Sequence, residues 1–244
     1  MDRALYVAMT GAAQTLRAQG INHHNLANAS TVGFKAELAA AGAVSIEGTG
    51  FGSRINAQNF IVGTDGRGGV IQQTGNALDV ALKPDHWLAV QGAEGQEAYT
   101  RAGNLTVDAE GTLRTASGLA VLGEGGPVTL PTSAQVSIGS DGTLSVITAG
   151  SAQATTAGRL KVVQADVNQF ERHGNGLFVA KPGTTPATAT GSVLVNGALE
   201  SSNVNVADAM VTMIELSRQF ELQTRAMKAA DENAQQAASL LRMK

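Results

Sequence analysis

Both ends of this 244-residue chain carry mostly apolar residues at alternating steps of four and three, whereas the long segment between them does not. In the C-terminal part these positions, called the C-terminal seam below, are Ala209, Met213, Leu216, Phe220, Gln223, Met227, Ala230, Ala234, Ala237 and Leu241. In the N-terminal part they form the N-terminal seam: Leu5, Met9, Ala12, Leu16, Gln19, His23 and Leu26. This spacing keeps side chains on one side of an α-helix, so it predicts a helix at each end of the chain.

The two seams leave open what packs against the predicted helices. Such spacing usually means that a helix packs on its own domain. Most positions of the C-terminal seam are Ala or Met, and the small Ala side chains permit close approach but bury little apolar area each. A helix of this kind is marginally stable alone in water. We therefore favour packing between molecules, with an internal coiled coil as the alternative.

Residues at the edges of the seams predict where the two helices begin and end. The first helix is expected over about 4–27, and Asn25 to Asn28 can end it because Asn tolerates the left-handed conformation beyond a helix C-terminus. The second is expected over 206–242. Asn205 suits its N-cap, and Asp208 lies three residues further on, as in a capping box.

Short alternating or apolar runs, separated by Gly-containing turns, occupy most of the central segment. The runs are Leu78–Leu82, Trp87–Gln91, Leu105–Val107, Leu119–Leu122, Val136–Ile138, Leu144–Ile147, Leu160–Val163, Leu177–Ala180 and Val193–Val195. This spacing predicts an antiparallel β structure. Dense glycine at Gly48 to Gly52 and Gly63 to Gly69 instead indicates an extended segment.

The predicted fold is therefore of the α+β class, with three parts. Residues 1–34 and 203–244 form long terminal helices packed as a coiled-coil-like core. Residues 35–74 form an extended Gly-rich linker region, and residues 75–202 form an antiparallel β-rich middle domain.

Composition excludes several kinds of function. A net charge of -3 gives no reason to expect nucleic acid as a partner, and the absence of cysteine excludes thiol chemistry and disulfides. The adjacent pair His23 and His24 would point about 100° apart on a helix and could not chelate one metal ion well. Charged residues are 15% of the chain against about 25% in typical domains, which suits burial against copies or a plain β-rich domain equally. We predict no catalytic, metal or cofactor site and no small-molecule substrate.

Four segments resemble the signatures of a known family. Asn25–Lys35 resembles the N-terminal signature of bacterial flagellar rod and hook proteins, and Leu199–Val206 resembles their C-terminal signature. Leu78–Leu82 and Ala98–Asn104 are similar to the middle domain of these proteins. Within the family, the chain length, the first six residues and the segment Asp231–Asn233 favour a proximal rod member, with a distal rod or hook-type axial protein as the alternative.

The resemblance implies a structural role without catalysis. Such subunits are exported through the flagellar export apparatus without a cleaved signal peptide. They assemble with copies of themselves and with other rod proteins into a helical rod that transmits torque across the periplasm. The residues then expected at the assembly interface are Leu5, Met9, Ala12, Leu16, Leu26, Asn28, Phe34, Met213, Leu216, Phe220, Met227, Ala230, Ala234 and Leu241.

Two readings from other classes remain as alternatives at this point. A cell-wall hydrolase with the helices as a dimerisation arm would need a pocket with converging carboxylates, and no sequence motif indicates one. A surface adhesin with a coiled-coil stalk would be favoured by a cleaved signal.

Overall fold

A computed structural model describes residues 3–45, 55–92, 95–131, 134–148 and 153–242 of the chain. The glycine cluster at Gly48 to Gly52 lies outside the described residues. The chain divides into two compact units, each built from separate stretches of sequence. The helical unit comprises Met1–Ala27, Glu37–Gly63 and Asn205–Lys244, and the β unit comprises Asn28–Ala36 and Thr64–Val204.

The helical unit contains two long helices and a strand pair. The elements are α1 (Arg3–Ala27), β1 (Glu37–Ser45), β2 (Ile55–Thr64, of which Thr64 belongs to the β unit) and α2 (Val206–Arg242). Both helices have the predicted bounds to within one residue. β1 and β2 pair in a two-stranded sheet, within a segment that the sequence predicted only as extended. Its many Ala and Gly residues give no alternation of polar and apolar side chains by which strands could be recognised.

The start of α2 is capped as the sequence predicted. Asn205 Oδ1 accepts hydrogen bonds from the backbone N–H groups of Ala207 (3.0 Å) and Asp208 (3.4 Å). Its Nδ2 also donates to Asp208 Oδ2 at 2.7 Å, so cap and third helical residue hold each other through their side chains. These bonds satisfy N–H groups that have no partner within the helix.

The β unit is built from short strands. Their bounds are β3 (Ile71–Gln73), β4 (Val80–Leu82), β5 (His86–Gln91), β6 (Glu97–Thr100), β7 (Leu105–Val107), β8 (Leu113–Thr115), β9 (Leu122–Gly123), β10 (Gly126–Pro127), β11 (Gln135–Ile138), β12 (Thr143–Ile147), β13 (Thr155–Arg159), β14 (Val162–Gln164), β15 (Phe170–His173), β16 (Leu177–Ala180), β17 (Ala187–Thr188), β18 (Leu194–Asn196) and β19 (Ala198–Glu200). All the strand pairs with a described register are antiparallel, which confirms the predicted α+β class.

A six-stranded antiparallel sheet organises the β unit, in the order β15-β16-β6-β5-β14-β17. Successive residues of β5 belong to different clusters, because side chains alternate between the faces of a strand. Leu88 and Val90 belong to the larger aliphatic core, whereas Trp87 and Ala89 belong to a second cluster. That cluster is aromatic, since the Trp87 ring lies 4.9 Å from the ring of Phe170. β5 is therefore buried on both faces.

A smaller sheet, β11-β12-β13, and four strand pairs complete the β unit: β3 with β19, β4 with β18, β7 with β8, and β9 with β10. The pairs of β3 with β19 and of β4 with β18 join residues near 70–82 to residues near 194–200. The end of the stretch Thr64–Val204 is thus paired with strands near the start of the same stretch. Among the described residues, neither α1 nor α2 nor any other helix has the length and apolar character needed to span a membrane.

Candidate functional site

α1 and α2 pack against each other in antiparallel orientation. Thr15 contacts Gln223 on α2, whereas Asn22, one to two turns further along α1, contacts Ala209. As far as Ala234, the less exposed positions of α2 are those of the C-terminal seam together with Thr224; Ala209 is buried and the others are half-buried. This face of α2 is therefore directed towards α1.

Polar contacts fix the register of the two helices. The buried Thr15 hydroxyl donates to Gln223 Oε1 at 3.0 Å and to the carbonyl of Gly11 at 3.1 Å. Asn22 Nδ2 donates to the carbonyl of Ala209 at 2.8 Å. Because these bonds form only in one alignment, a slip of one helix along the other would leave buried polar groups unpaired.

Only part of the N-terminal seam faces α2. Ala12 is buried and Leu5, Gln19 and Leu26 are half-buried, whereas Met9, Leu16 and His23 are exposed. The remaining contact face of α1 is made of small and polar residues, including Ala8, Thr15 and Asn22. The sequence reasoning missed Thr15 and Asn22, because polar residues carry no weight in an apolar pattern.

Outside their mutual contact, both helices expose large apolar side chains. On α1 these exposed residues are Tyr6, Val7, Met9 and Leu16, and on α2 they are Val206, Met210, Val211, Ile214, Leu222 and Leu240. We call this set the outer apolar face. Val206, Met210 and Ile214 are four residues apart and so share one side of α2. Ile214 is 59% exposed and Leu222 is 64% exposed. Clustered exposed apolar side chains of this kind mark interaction surfaces.

The last turn of α1 is tied to β1 by an amide side chain. Asn25 Nδ2 donates to the carbonyl of Glu37 at 2.9 Å, and Asn25 Oδ1 accepts from the N–H of Glu37 at 2.8 Å. Asn25 therefore bonds to the backbone of β1 much as a neighbouring strand would. His24 Nδ1 lies 3.3 Å from Glu37 Oε1 beside this pair.

The most unusual polar feature lies in the β unit, where three charged side chains are buried together. Lys35, Arg101 and Glu200 are each at most 4% exposed. Lys35 Nζ lies 2.8 Å from Glu200 Oε1, and Arg101 Nε lies 2.8 Å from Glu200 Oε2. We call these three residues the ionic cluster. Its members are 66 and 99 positions apart in sequence, counted from Lys35 to Arg101 and from Arg101 to Glu200.

Backbone groups provide further hydrogen bonds to the ionic cluster. The N–H of Gly69 donates to Glu200 Oε1 at 2.8 Å, and Lys35 Nζ donates to the carbonyl of Arg67 at 2.7 Å. The Arg101 guanidinium donates to the carbonyls of Leu82 (3.0 Å), Lys83 (3.2 Å) and His86 (2.7 Å). A buried ion pair with such additional bonds can exist without water, whereas loss of one partner is strongly destabilising.

Burial and charge act in opposite directions on the titration of this cluster. Burial by itself would raise the pKa of Glu200, but the charges and hydrogen bonds of Arg101 and Lys35 hold that pKa below its ordinary value. Burial and the charge of Arg101 lower the pKa of Lys35, although Glu200 partly opposes this. The two buried cations therefore depend on the Glu200 carboxylate for a compensating negative charge.

Phe34, one of the residues expected at the assembly interface, is buried in the β unit. The Arg172 guanidinium lies 4.5 Å above its ring and 5.8 Å from the ring of Phe178. Arg172 also donates to the carbonyl of Lys35 at 2.8 Å. Gly33, the residue before Phe34, has a φ of +67°, and its N–H donates to the carbonyl of Glu200 at 2.8 Å.

The other residues expected at an assembly interface are distributed over both units. Asn28 is half-buried at the turn after α1, where its carbonyl accepts from the N–H of Thr31. Leu241 belongs to α2, and the surroundings of its side chain lie outside the described part of the chain. Within the described ranges, no three His, Asp or Glu side chains are grouped so that they could hold a metal ion.

Comparison with known proteins gives three matches to family models. Residues 5–35 match "Flagella basal body rod protein", residues 81–146 match "Flagellar hook protein FlgE/F/G D1 domain", and residues 195–240 match "Flagellar basal body rod FlgEFG protein C-terminal". Lys35, Arg101 and Glu200 each fall in a different one of these three matches. The ionic cluster is thus where the three family segments meet.

Full-length relatives agree with these matches. The flagellar basal-body rod protein FlgF of Salmonella typhimurium is 42% identical over 100% of both chains, and that of Escherichia coli K12 is 43% identical over 100% of both. The flagellar basal-body rod protein FlgG of Bacillus subtilis 168 is 32% identical over 99% of this chain and 100% of its own. This chain belongs to the flagellar basal-body rod protein family.

Membership of this family establishes the general role of the chain. It is a structural subunit of the bacterial flagellar basal-body rod, a part of the motility apparatus, and its place is the basal body. The comparisons give no support to the alternative of a cell-wall hydrolase.

Proposed function

We propose that this chain assembles helically, with copies of itself and with other rod subunits, through the outer apolar face of α1 and α2. The terminal helices then form a coiled-coil-like core of the rod in the periplasm, and the assembled rod transmits torque. In this proposal the chain has no catalytic activity. It reaches the rod through the flagellar export apparatus, as the family resemblance implies.

The outer apolar face is the observation that carries the proposal. One side of α2 is used by α1, whereas Met210, Ile214 and Leu222 lie off that side and are exposed. A contact between unlike surfaces of identical subunits generates an open helical assembly unless its rotation closes a ring. α2 is also close to neutral, so copies of it would not repel each other strongly.

Substitutions on the outer apolar face test the proposal. Ile214→Asp and Leu222→Asp should leave the purified monomer folded, because both side chains are largely exposed. In cells that lack the native protein, these variants should fail to restore swimming in soft agar and should be missing from purified basal bodies. Normal swimming with both variants would refute assembly through this face.

Two comparisons make the test specific. Gln219→Glu adds the same charge at an exposed α2 position that lies about 60° or more around the helix from every α2 member of the outer apolar face, and it should restore swimming. Leu216→Asp and Phe220→Asp should also abolish swimming while the β unit stays folded. However, these two half-buried positions face α1, so their circular dichroism should additionally show loss of helix.

A further inference from the structure

Asn203 joins three passages of the chain inside the β unit. Its Oδ1 accepts from the N–H of Ala36 at 2.8 Å, and its Nδ2 donates to the carbonyls of Asp65 and Arg67, each at 3.1 Å. Its own backbone N–H donates to the carbonyl of Phe34 at 3.3 Å. We call Asn203 with these partners the Asn203 clamp.

These partners lie where the chain enters and leaves the β unit. The chain leaves after Ala36, returns at Thr64 and leaves again after Val204. Asn203, one residue before the final exit, is therefore bonded to Ala36 at the first exit and to Asp65 and Arg67 just after the return. The N–H of Asp65 also donates to the carbonyl of Ala36 at 2.8 Å, which joins two of these passages directly.

The remaining boundary point is Asn28, where the stretch Asn28–Ala36 enters the β unit, and the neighbouring ionic cluster holds this stretch in place. The N–H of Gly33 donates to the carbonyl of Glu200, three residues before Asn203. Lys35, on the same passage, bonds to the Glu200 carboxylate and to the carbonyl of Arg67. All four points at which the chain enters or leaves the β unit are thus bonded to the segment from Glu200 to Asn203, either directly or through the turn that begins at Asn28.

We propose that Asn203 is a positioning residue that makes these chain passages one mechanical joint, so that load carried along the chain into the β unit is shared among them. This inference rests on the proposed function, since a joint of this kind matters only in a subunit that transmits torque. Three hydrogen bonds from one short, half-buried side chain act in parallel. Without them, the passages would move independently while the sheet core, which Asn203 does not enter, would remain folded.

Asn203→Ala tests the joint in the full-length protein. Each lost hydrogen bond contributes on the order of 1 kcal/mol. Native-state hydrogen exchange should therefore be about ten- to a hundredfold faster at the amides of Ala36 and Asp65. Exchange in β5 and β16 should rise by no more than the fall in global stability. Urea unfolding followed by the emission of Trp87, the only tryptophan, should still show a folded β unit, with a lower midpoint. Asn196→Ala removes an exposed amide from the same unit and is the matched control.

The cellular result separates a joint from a purely structural contact. The Asn203→Ala subunit should be present in purified basal bodies, but cells carrying it should swim more slowly, and the deficit should grow as the medium is made more viscous. Cells with Asn196→Ala should match the wild type at every viscosity. Asn203→Asp keeps the acceptor for Ala36 but turns an oxygen towards the carbonyls of Asp65 and Arg67, so its swimming should be impaired at least as much as that of Asn203→Ala.

Several results would overturn the inference. These are unchanged exchange at Ala36 and Asp65, swimming equal to the control at all viscosities, or absence of the Asn203→Ala subunit from basal bodies. Unfolding of the β unit by both Asn203 variants would also overturn it, because Asn203 would then serve folding rather than load sharing. Failure of the proposed function is a different result, namely normal assembly and swimming of the Ile214→Asp and Leu222→Asp variants.

Discussion

Replacing Glu200 with glutamine would leave two buried cations without a negative charge. The Glu200 carboxylate accepts hydrogen bonds from Lys35, Arg101 and the N–H of Gly69. A glutamine amide can accept with only one oxygen, and its NH₂ group would face a donor. Breaking a buried ion pair in this way typically costs about 3–5 kcal/mol. We expect the free energy of unfolding of the β unit to fall by about that amount.

Replacing Lys35 with methionine should be milder, although it disrupts the same cluster. Arg101 and Gly69 would still bond to the Glu200 carboxylate, and the removed group is a cation whose pKa burial and the Arg101 charge already lower. Two hydrogen bonds from Lys35 Nζ are lost. Each of these bonds contributes on the order of 1 kcal/mol, so we expect the free energy of unfolding of the β unit to fall by about 1–2 kcal/mol.

The assay for both variants is urea unfolding followed by the emission of Trp87, which is 2% exposed and lies 5.6 Å from the Arg101 guanidinium carbon. Glu171→Gln makes the same chemical change at an exposed position of the same unit and should leave the midpoint unchanged. The reasoning would be refuted if Glu200→Gln unfolds at the wild-type midpoint, or if Lys35→Met is the more destabilising change.

Three further predictions concern pH, backbone conformation and capping. Since the pKa of Glu200 lies below 4.5 in the folded state, its stabilising contribution is present above about pH 4.5 and is lost as pH falls through the folded value. Acid titration of the wild type should therefore show a larger loss of stability than acid titration of Glu200→Gln. Gly33→Ala should destabilise at least about twice as much as Gly183→Ala in urea unfolding. Both glycines have positive φ, which costs about 1–2 kcal/mol for another residue, but of the two only Gly33 would place a Cβ against a backbone carbonyl, that of Arg101. Equal midpoints would contradict this. Asn205→Ala should lower the stability of the helical unit by about 1 kcal/mol in thermal melts followed by circular dichroism, and an unchanged melt would show that the cap contributes nothing.

The helices could be predicted closely because their signals are local. Seam spacing, the cap at Asn205 and the absence of proline between 206 and 242 are all read within a few residues of where they act. Most of the predicted strands formed for the same reason, since a short apolar run between turns is also a local signal. Strands such as β1 and β13 were missed because their residues are mainly small or polar.

Which side of α1 faces α2 could not be predicted from its apolar residues. Leu16 and Met9 are exposed, and Thr15 and Asn22 take the contact positions. A hydroxyl or amide is suitable there only because Gln223 and a backbone carbonyl of α2 come within hydrogen-bond distance. That proximity is a property of the packed pair, and neither helix carries it alone.

The sequence by itself determined the α+β class, the bounds of the two helices and, through its signature segments, the family. Only the tertiary structure decided that Lys35, Arg101 and Glu200 form one buried cluster and that Asn203 bonds to three passages of the chain. A lysine or glutamate in an exposed-looking segment gives no sign that it will be buried. Its burial becomes tolerable only when oppositely charged and hydrogen-bonding groups from distant parts of the chain arrive together, and that arrival is a consequence of the fold.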